Sequence, residues 1–238
     1  PEEFKGEDGY DAEKIESDKA EAERLREKFQ QKETFEQKEA HKLAVVFEAI
    51  IHENAELSNW FGPEALTVKT SDFDDFKNGV DTIVEFKNEE ETAKHLALAI
   101  DVTFSSDTHE KFDRIKKEIE KGKLAHIEYF VSENSPRRRV ENIPRVVIGA
   151  SADTVKKLRE TWLEGEKKKL GGHPIQFQIL EEIIVQLGAF ENYALKTGKK
   201  EMAEIYRKEK SLIEKILEDK TALVPDNKER DEIFRTIK

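Results

Sequence analysis

The chain has 238 residues, of which 39% are charged, and its formal net charge is −11. It contains no cysteine, which excludes disulfides and thiolate metal sites and is typical of proteins from the reducing cytoplasm. Because no run of about 18 apolar residues and no signal segment is found, we expect a cytoplasmic protein with no membrane partner. The acidic balance argues against indiscriminate binding to nucleic acid, which requires local positive charge.

Residues 1–40 are dominated by Glu, Lys, Asp and Gln. Ile15, Ala22, Leu25 and Phe29 lie roughly on one helical face, but this apolar stripe is thin. We therefore expect a charged helical or disordered extension that is solvated rather than docked on the rest of the chain.

Residues 41–170 read as a folded core. "HKLAVVFEAIIHENAELSNWFG" predicts a helix, "ALTVKTS" a strand, "DDFKNG" a turn and "VDTIVEFK" a second strand. "HLALAIDVTF" is almost continuously apolar, which is typical of a central strand covered on both faces.

The second half of this core continues in the same manner. A helix at "THEKFDRIKKEIEKG" precedes strands at "AHIEYFVS" and "PRVVIGAS", and a helix follows at "ADTVKKLRETWLEGEKKKL". The basic segment "ENSPRRRVEN" is predicted to be a loop. The whole pattern predicts an α/β (α+β) fold, with a mixed central sheet of about five strands flanked by helices.

Residues 171–238 carry two long amphipathic segments separated by Thr197-Gly198, which predicts a C-terminal helical hairpin. Its broad apolar stripe is expected to pack on the core or on a partner. The last stretch, from about Pro225, is expected to be frayed.

Two aspartates lie where strands begin and end. Asp81 follows Asn-Gly in "NGVD", and Asp101 lies twenty residues further on in "AIDVT". A carboxylate beside an apolar strand is costly unless it gains a partner cation, a metal or exposure to water. For Asp81 a simple turn position remains open, and for Asp101 a buried cap or a salt bridge.

The element order and these two aspartates resemble the PD-(D/E)xK nuclease superfamily, which has the restriction-endonuclease-like fold. That family's core is helix, three strands, helix, strand, and its first acidic residue opens the second strand. The resemblance covers about residues 40–150. It implies that Asp81 and Asp101 hold Mg²⁺, with Mn²⁺ as a substitute, assisted by Glu48 or Glu53 from the first helix. Carboxylates suit this role because Mg²⁺ prefers hard oxygen ligands.

The chain departs from the family's pattern at its lysine. Thr103 stands two residues after Asp101, where the family has Lys, and a hydroxyl cannot supply a fixed positive charge. Either the lysine has moved to the following helix, with Lys111 and Lys116 as candidates, or the site is degenerate. Glu48, Glu53 and the two lysines are equally compatible with a solvated helix surface.

Arg137, Arg138 and Arg139 form the most concentrated basic stretch of the sequence. They would grip the phosphates of a nucleic acid beside a nuclease site, or lie in an exposed loop.

Two functions from different classes follow. The first is a metal-dependent nuclease that cleaves phosphodiester bonds. The second is a catalytically inactive module on the same fold, which binds a protein partner or forms a homodimer through its C-terminal helices.

Overall fold

The computed structural model describes residues 1–7, 10–31, 33–87, 94–101, 107–133, 135–226 and 228–237. Its helices are α1 (Ala12–Gln30), α2 (Phe35–Leu57), α3 (Asp107–Glu120), α4 (Ala152–Leu163), α5 (Lys167–Gly171), α6 (Ile175–Lys196), α7 (Lys200–Leu223) and α8 (Phe234–Ile237). Its strands are β1 (Ala65–Lys69), β2 (Thr82–Phe86), β3 (Lys94–Asp101), β4 (Ala125–Phe130), β5 (Arg138–Ile143) and β6 (Arg145–Gly149). A short 3₁₀ turn covers Glu2–Phe4, and a π-helical turn covers Asp74–Asn78. The predicted mixed class of helices and strands is confirmed.

The central sheet has the order β1-β2-β3-β6. β1, β2 and β3 pair antiparallel, and β6 joins β3 in parallel after the crossover that contains α3. β3 is a central strand, as its apolar run predicts. The mixed character of the sheet is confirmed, but it has four strands instead of about five, and β4 and β5 form a separate hairpin.

The basic segment predicted as a loop contributes β5, so that prediction is wrong. Only Val140 and Ile143 of β5 point inward, and two exposed residues separate them. Asn142 has a φ of 59°, and the pairing with β4 shifts register. This irregularity breaks the period of two by which strands are recognised, which explains why the pattern does not reveal the strand.

A capping box determines where α2 begins. Gln37 N donates to Thr34 Oγ1 (3.3 Å), and Thr34 N donates to Gln37 Oε1 (2.9 Å). The boundary placed at residue 40 therefore falls inside α2. The helix buries one face against the sheet and α4, through Phe47, Ile50, Ile51 and Ala55.

The outer edge of β6 is closed by a row of polar side chains on α6. Gln186 Nε2 donates to Val147 O (2.5 Å), and Val147 N donates to Gln186 Oε1 (2.8 Å). One turn earlier, Gly149 N donates to Glu182 Oε2 (3.2 Å). An open strand edge leaves N–H and C=O groups without partners, so this row takes the place of a fifth strand.

The N-terminal segment is docked, and the expectation of a solvated extension is wrong. Ile15 and Ala22 of α1 are buried. The rings of Phe4, Tyr10 and Tyr129 pack with centroids 5.1 to 5.5 Å apart, and Tyr10 Oη donates to Glu128 O on β4 (2.6 Å). Two of these aromatic anchors precede α1, so helical periodicity alone underestimates the apolar contact.

α6 and α7 form the predicted helical hairpin, and their apolar stripes face the core of the same chain. The buried residues of these stripes are Ile179, Leu180, Ile183, Leu187, Phe190, Met202, Tyr206 and Ile213. The stripe that motivated a partner or homodimer is therefore covered internally. No helix in the described part of the chain is long and apolar enough to cross a membrane.

The C-terminal segment is held to the domain, so the expectation of fraying from Pro225 is wrong for its described residues. The guanidinium of Arg230 forms a two-bond fork with Glu181 (2.8 Å each). Asp231 Oδ1 accepts from Ser151 N (3.1 Å), and Asp231 Oδ2 accepts from Ser151 Oγ (2.7 Å) at the start of α4.

Burial raises the pKa of Glu182 to about 8, from an ordinary value of 4.5. The folded protein therefore keeps this proton at pH values where the unfolded chain has lost it, so the free energy of unfolding falls as the pH rises from about 4.5 to about 8. We expect Glu182→Gln to flatten this decline and to gain roughly 1–3 kcal/mol relative to the wild type at about pH 9. Urea unfolding between about pH 5 and pH 9 measures the effect.

The matched control is Glu204→Gln on the exposed side of α7, which should leave the pH dependence of stability unchanged. Parallel stability curves for wild type and Glu182→Gln across this pH range would contradict the prediction.

Candidate functional site

One edge of the central sheet collects the ends of three strands. Lys69 ends β1 opposite Thr82, the first residue of β2, and Asp81 directly precedes β2. Asp101 ends β3 opposite Gly149 of β6. Because β2 runs antiparallel to β1 and β3, these residues all belong to the same edge of the sheet.

Glu48 of α2 reaches this edge and is largely buried. Its Oε2 lies 3.3 Å from Lys69 Nζ, and its Oε1 accepts a hydrogen bond from Thr82 Oγ1 (3.3 Å). Burial raises the pKa of Glu48, and Asp81 adds to this effect while Lys69 opposes it. Glu48 is thus close enough to Asp81 for the two charges to repel each other, and its role as a metal ligand stays a prediction.

Asp75 is the third acidic residue of the edge. It lies in the π-helical turn and hydrogen-bonds to Asp81, and burial together with the charges of Asp81 and Glu48 raises its pKa to about 8. We call Glu48, Asp75 and Asp81 the carboxylate cluster. Its members come from three separate elements and repel one another, which is costly unless a proton or a cation is present.

The π-helical turn directs the side chain of Asp75 towards Asp81, because the preceding residue, Asp74, is anchored on the other side of the turn. The buried carboxylate of Asp74 accepts from the backbone N–H groups of Glu128 (2.8 Å) and Tyr129 (3.1 Å) on β4. Gly79 ends the turn with a φ of 64°, a conformation that favours glycine. The chain then enters β2 directly after Asp81.

His52 joins the cluster through a hydroxyl. Its Nε2 lies 3.0 Å from Thr82 Oγ1, and the same hydroxyl contacts Glu48. Burial lowers the pKa of His52, and the nearby Lys69 lowers it further. The imidazole is therefore neutral at physiological pH and positions Thr82 and Glu48 through hydrogen bonds instead of through charge.

Asp101 shares the edge through its backbone, but its side chain lies outside the described part of the structure. Thr103, which stands at the position of the family's lysine, lies outside the described residues altogether. The structure therefore places the strand end that carries Asp101 beside the carboxylate cluster and gives no distance between their carboxylates.

Two of the remaining candidates on helices, Glu53 and Lys116, contact residues away from this edge. Glu53 accepts a hydrogen bond from Trp162 Nε1 and lies 3.7 Å from Lys167, which places it at the junction of α2 with α4 and α5. Lys116 is exposed on α3 and lies 3.7 Å from Asp113. Lys111 is half-buried in the early part of α3.

Arg137, Arg138 and Arg139 lie at the start of β5, on the side of the molecule where the N-terminal segment docks. Arg137 lies 3.8 Å from Glu3, and Arg139 lies 3.0 Å from Glu141 and 3.6 Å from Glu128. They belong to a surface separate from the carboxylate cluster, with the π-helical turn between the two.

Two residues of the edge are missed by reasoning from the sequence. Asp75 lies in "DDFKNG", where acidic residues are routine in a turn and give no functional signal. Lys69 ends a short alternating strand, and only the register of β1 with β2 brings it beside Thr82. The signal that the sequence offers is the antiparallel pairing of two successive strands, which brings the end of the first beside the start of the second.

The side chains that the structure describes include no group of three or more His, Asp or Glu residues that could hold a metal ion by themselves. A complete ligand set at this edge therefore needs a further oxygen donor, and the strand end at Asp101 is the element adjacent to the cluster.

Comparison with protein-family models, with curated proteins and with solved structures finds no match to this chain. The function is therefore inferred from the chemistry of the carboxylate cluster and its surroundings.

The repulsion within the cluster makes Asp75 a source of pH-dependent instability. Its raised pKa means that the folded protein retains a proton that the unfolded chain loses near the ordinary value of 3.8, so stability declines as the pH rises towards about 8. We expect Asp75→Asn to remove the part of this decline that Asp75 contributes, leaving that of Glu182, and to stabilise the protein by roughly 1–3 kcal/mol at about pH 9. Chemical unfolding over a pH series measures the difference.

Asp113→Asn on the exposed face of α3 is the matched control and should leave the pH profile unchanged. The same decline in Asp75→Asn as in the wild type would show that Asp75 does not carry the raised pKa.

Proposed function

We propose that the chain is a metal-dependent nuclease-like protein that hydrolyses phosphodiester bonds of nucleic acid at the carboxylate edge of its sheet. The observation that supports this proposal is the convergence of Glu48, Asp75 and Asp81 with a raised pKa at Asp75. A group of carboxylates that must retain a proton in order to coexist is a candidate cation site, because a divalent ion relieves the same repulsion.

The donor set has the chemistry that Mg²⁺ requires. The carboxylate cluster offers only oxygen ligands, and Asp101 on β3 is the residue proposed to complete the set. When bound, Mg²⁺ polarises a phosphate oxygen and lowers the pKa of an attacking water. Mn²⁺ has similar ligand preferences and is the proposed substitute.

We propose that Lys69 supplies the positive charge that the motif lysine supplies in the PD-(D/E)xK superfamily. Its ammonium lies 3.3 Å from Glu48, and its side chain remains 63% exposed, so the charge is accessible to an incoming phosphate. The side chain approaches the site from β1, whereas Lys111 and Lys116 belong to α3. A neutral Thr103 is compatible with activity if the positive charge comes from this neighbouring strand.

The other residues of the edge hold this arrangement in place. Thr70 N donates to Asp81 O (3.2 Å), and Thr70 Oγ1 donates to Val80 O (2.5 Å), which fixes the chain where it enters β2. His52 and Thr82 orient Glu48. Asp75 holds a proton toward Asp81 near neutral pH and is proposed to release it when a cation arrives.

The element order gives further support. α2, the meander β1-β2-β3, α3 and the parallel strand β6 follow the order that the PD-(D/E)xK resemblance implies. The hairpin β4-β5 is an insertion before the last strand. The alternative of an inactive module that binds through α6 and α7 is less favoured, because the stripe of that hairpin is buried in its own chain.

Isothermal calorimetry with Mg²⁺ and Mn²⁺ is the first test. We expect the wild type to bind the ions and to release protons into the buffer, with affinity rising as the pH rises through about 8, since Asp75 must lose its proton. Asp81→Asn should abolish binding. Titrations in buffers of different ionisation enthalpy measure the proton release directly.

The matched control is Glu53→Gln, because Glu53 lies away from the cluster and its replacement keeps an oxygen for Trp162. It should bind the ions as the wild type does. The same three proteins are then incubated with single- and double-stranded DNA and RNA in the presence of each ion. A wild type that neither binds the ions nor cleaves any of these substrates contradicts the proposal.

A further inference from the structure

A second charged surface lies on the other side of the π-helical turn. A cleft of about 730 Å³ is lined by Gly6, Glu7, Tyr10, Lys14, Glu128, Arg137, Arg138 and Arg139. We call it the arginine cleft. Its lining carries four cationic and two anionic side chains, and Glu3, Asp18 and Glu141 contact these cations from outside the lining. An anionic ligand can therefore bind the arginines only where it displaces carboxylates that are held loosely.

The acidic contacts of Arg137 are loose. Its guanidinium nitrogens lie 3.8 Å from Glu3 and 3.9 Å from Glu7, beyond hydrogen-bonding distance. Elsewhere the same chain forms tight two-bond forks, as in Arg230 with Glu181 (2.8 Å each). Exposed pairs of the loose kind contribute little to stability, so Arg137 can exchange these partners at little cost.

The residues opposite Arg137 come from the docked N-terminal segment. Phe4 and Tyr10 fix this segment through their packing on Tyr129, and Glu3 and Glu7 lie beside these anchors. The aromatic contacts hold the backbone in place while the carboxylates stay exposed. The N-terminal segment therefore presents two negative charges to the cleft without filling it.

We propose that the arginine cleft binds the sugar-phosphate backbone of a nucleic acid, and that Glu3 and Glu7 compete with its phosphates for Arg137. Arg138 and Arg139 begin β5 and Arg137 directly precedes it, so three consecutive arginines offer several cations instead of one. Alternate side chains of a strand lie about 6.6 Å apart, which suits a polymer of phosphates better than a single small anion. Guanidinium groups also match phosphate geometry through paired hydrogen bonds.

The cleft and the carboxylate cluster are joined by a short structural path. β4 supplies Glu128 to the lining of the cleft, and the N–H of the same residue binds Asp74, the neighbour of Asp75. A nucleic-acid strand bound in the arginine cleft would therefore lie on the side of the molecule that faces the π-helical turn. The inference rests on the proposed function only in choosing nucleic acid among polyanions.

Fluorescence anisotropy with a labelled single-stranded oligonucleotide in EDTA tests the cleft without any cleavage. We expect Arg137→Gln/Arg139→Gln to weaken binding and to lower the slope of log K against log salt by about two, one for each lost phosphate contact. Glu3→Gln/Glu7→Gln should bind roughly two- to fivefold more tightly, as expected for the release of exposed ion pairs.

Arg24→Gln is the matched control, because Arg24 is an exposed arginine of α1 whose partner is Glu21. It should bind as the wild type does. Equal binding by the Arg137/Arg139 variant and this control would overturn the proposal, as would equal displacement of the oligonucleotide by poly-glutamate. Because the assay measures binding in EDTA and no cleavage, failure of the carboxylate edge as a nuclease centre and failure of the cleft give different results.

Discussion

The hydrogen bonds of the Asp74 carboxylate are the interaction on which the carboxylate cluster and the arginine cleft both depend. This carboxylate is fully buried, and it accepts from Ser71 Oγ (2.8 Å), Asn78 Nδ2 (2.7 Å) and two backbone N–H groups of β4. A buried carboxylate is tolerated only when donors satisfy its oxygens in this way. Its four bonds close the π-helical turn and attach that turn to the β4-β5 hairpin.

This attachment of the π-helical turn to β4 affects the structure on both sides of the turn. On one side, the turn presents Asp75 to Asp81 and brings the carboxylate cluster together. On the other side, β4 carries Tyr129, against which Phe4 and Tyr10 of the N-terminal segment pack. Loss of the Asp74 carboxylate would therefore disturb the cluster and the arginine cleft together, although neither contains Asp74.

Much of the fold could be predicted from the sequence because its signals are periodic. The hairpin of α6 and α7, the central position of β3 and the crossover to β6 follow from apolar spacing and turn residues. The polar row of Gln178, Glu182 and Gln186 could not be predicted, since its partners are the backbone groups of β6, and a sequence pattern does not show backbone edges. β5 was missed for a related reason, because its bulge at Asn142 breaks the period.

The candidate site was predictable only in part. Asp81 and Glu48 are candidates that the PD-(D/E)xK resemblance implies, and in the structure burial and the charge of Asp81 both raise the pKa of Glu48 at one edge of the sheet. Asp75 and Lys69 were missed because each becomes significant through tertiary contacts: Asp75 through the anchoring of its neighbour, and Lys69 through strand register. Glu53 lies on the same helix as Glu48 and is also a candidate from the sequence. Its side chain instead accepts a hydrogen bond from Trp162 Nε1, at the junction of α2 with α4.

The distribution of charge explains why an acidic chain can be expected to handle a polyanion. The carboxylate cluster repels nucleic acid until a cation neutralises it, so it cannot supply the initial attraction. In the arginine cleft, Glu3 and Glu7 hold the guanidinium of Arg137 only loosely, whereas Arg139 lies 3.0 Å from Glu141. An arrangement in which one surface attracts the phosphates and another accepts the metal separates binding from chemistry. In this proposal the N-terminal segment takes part in binding, because its carboxylates set how strongly a phosphate must compete for Arg137.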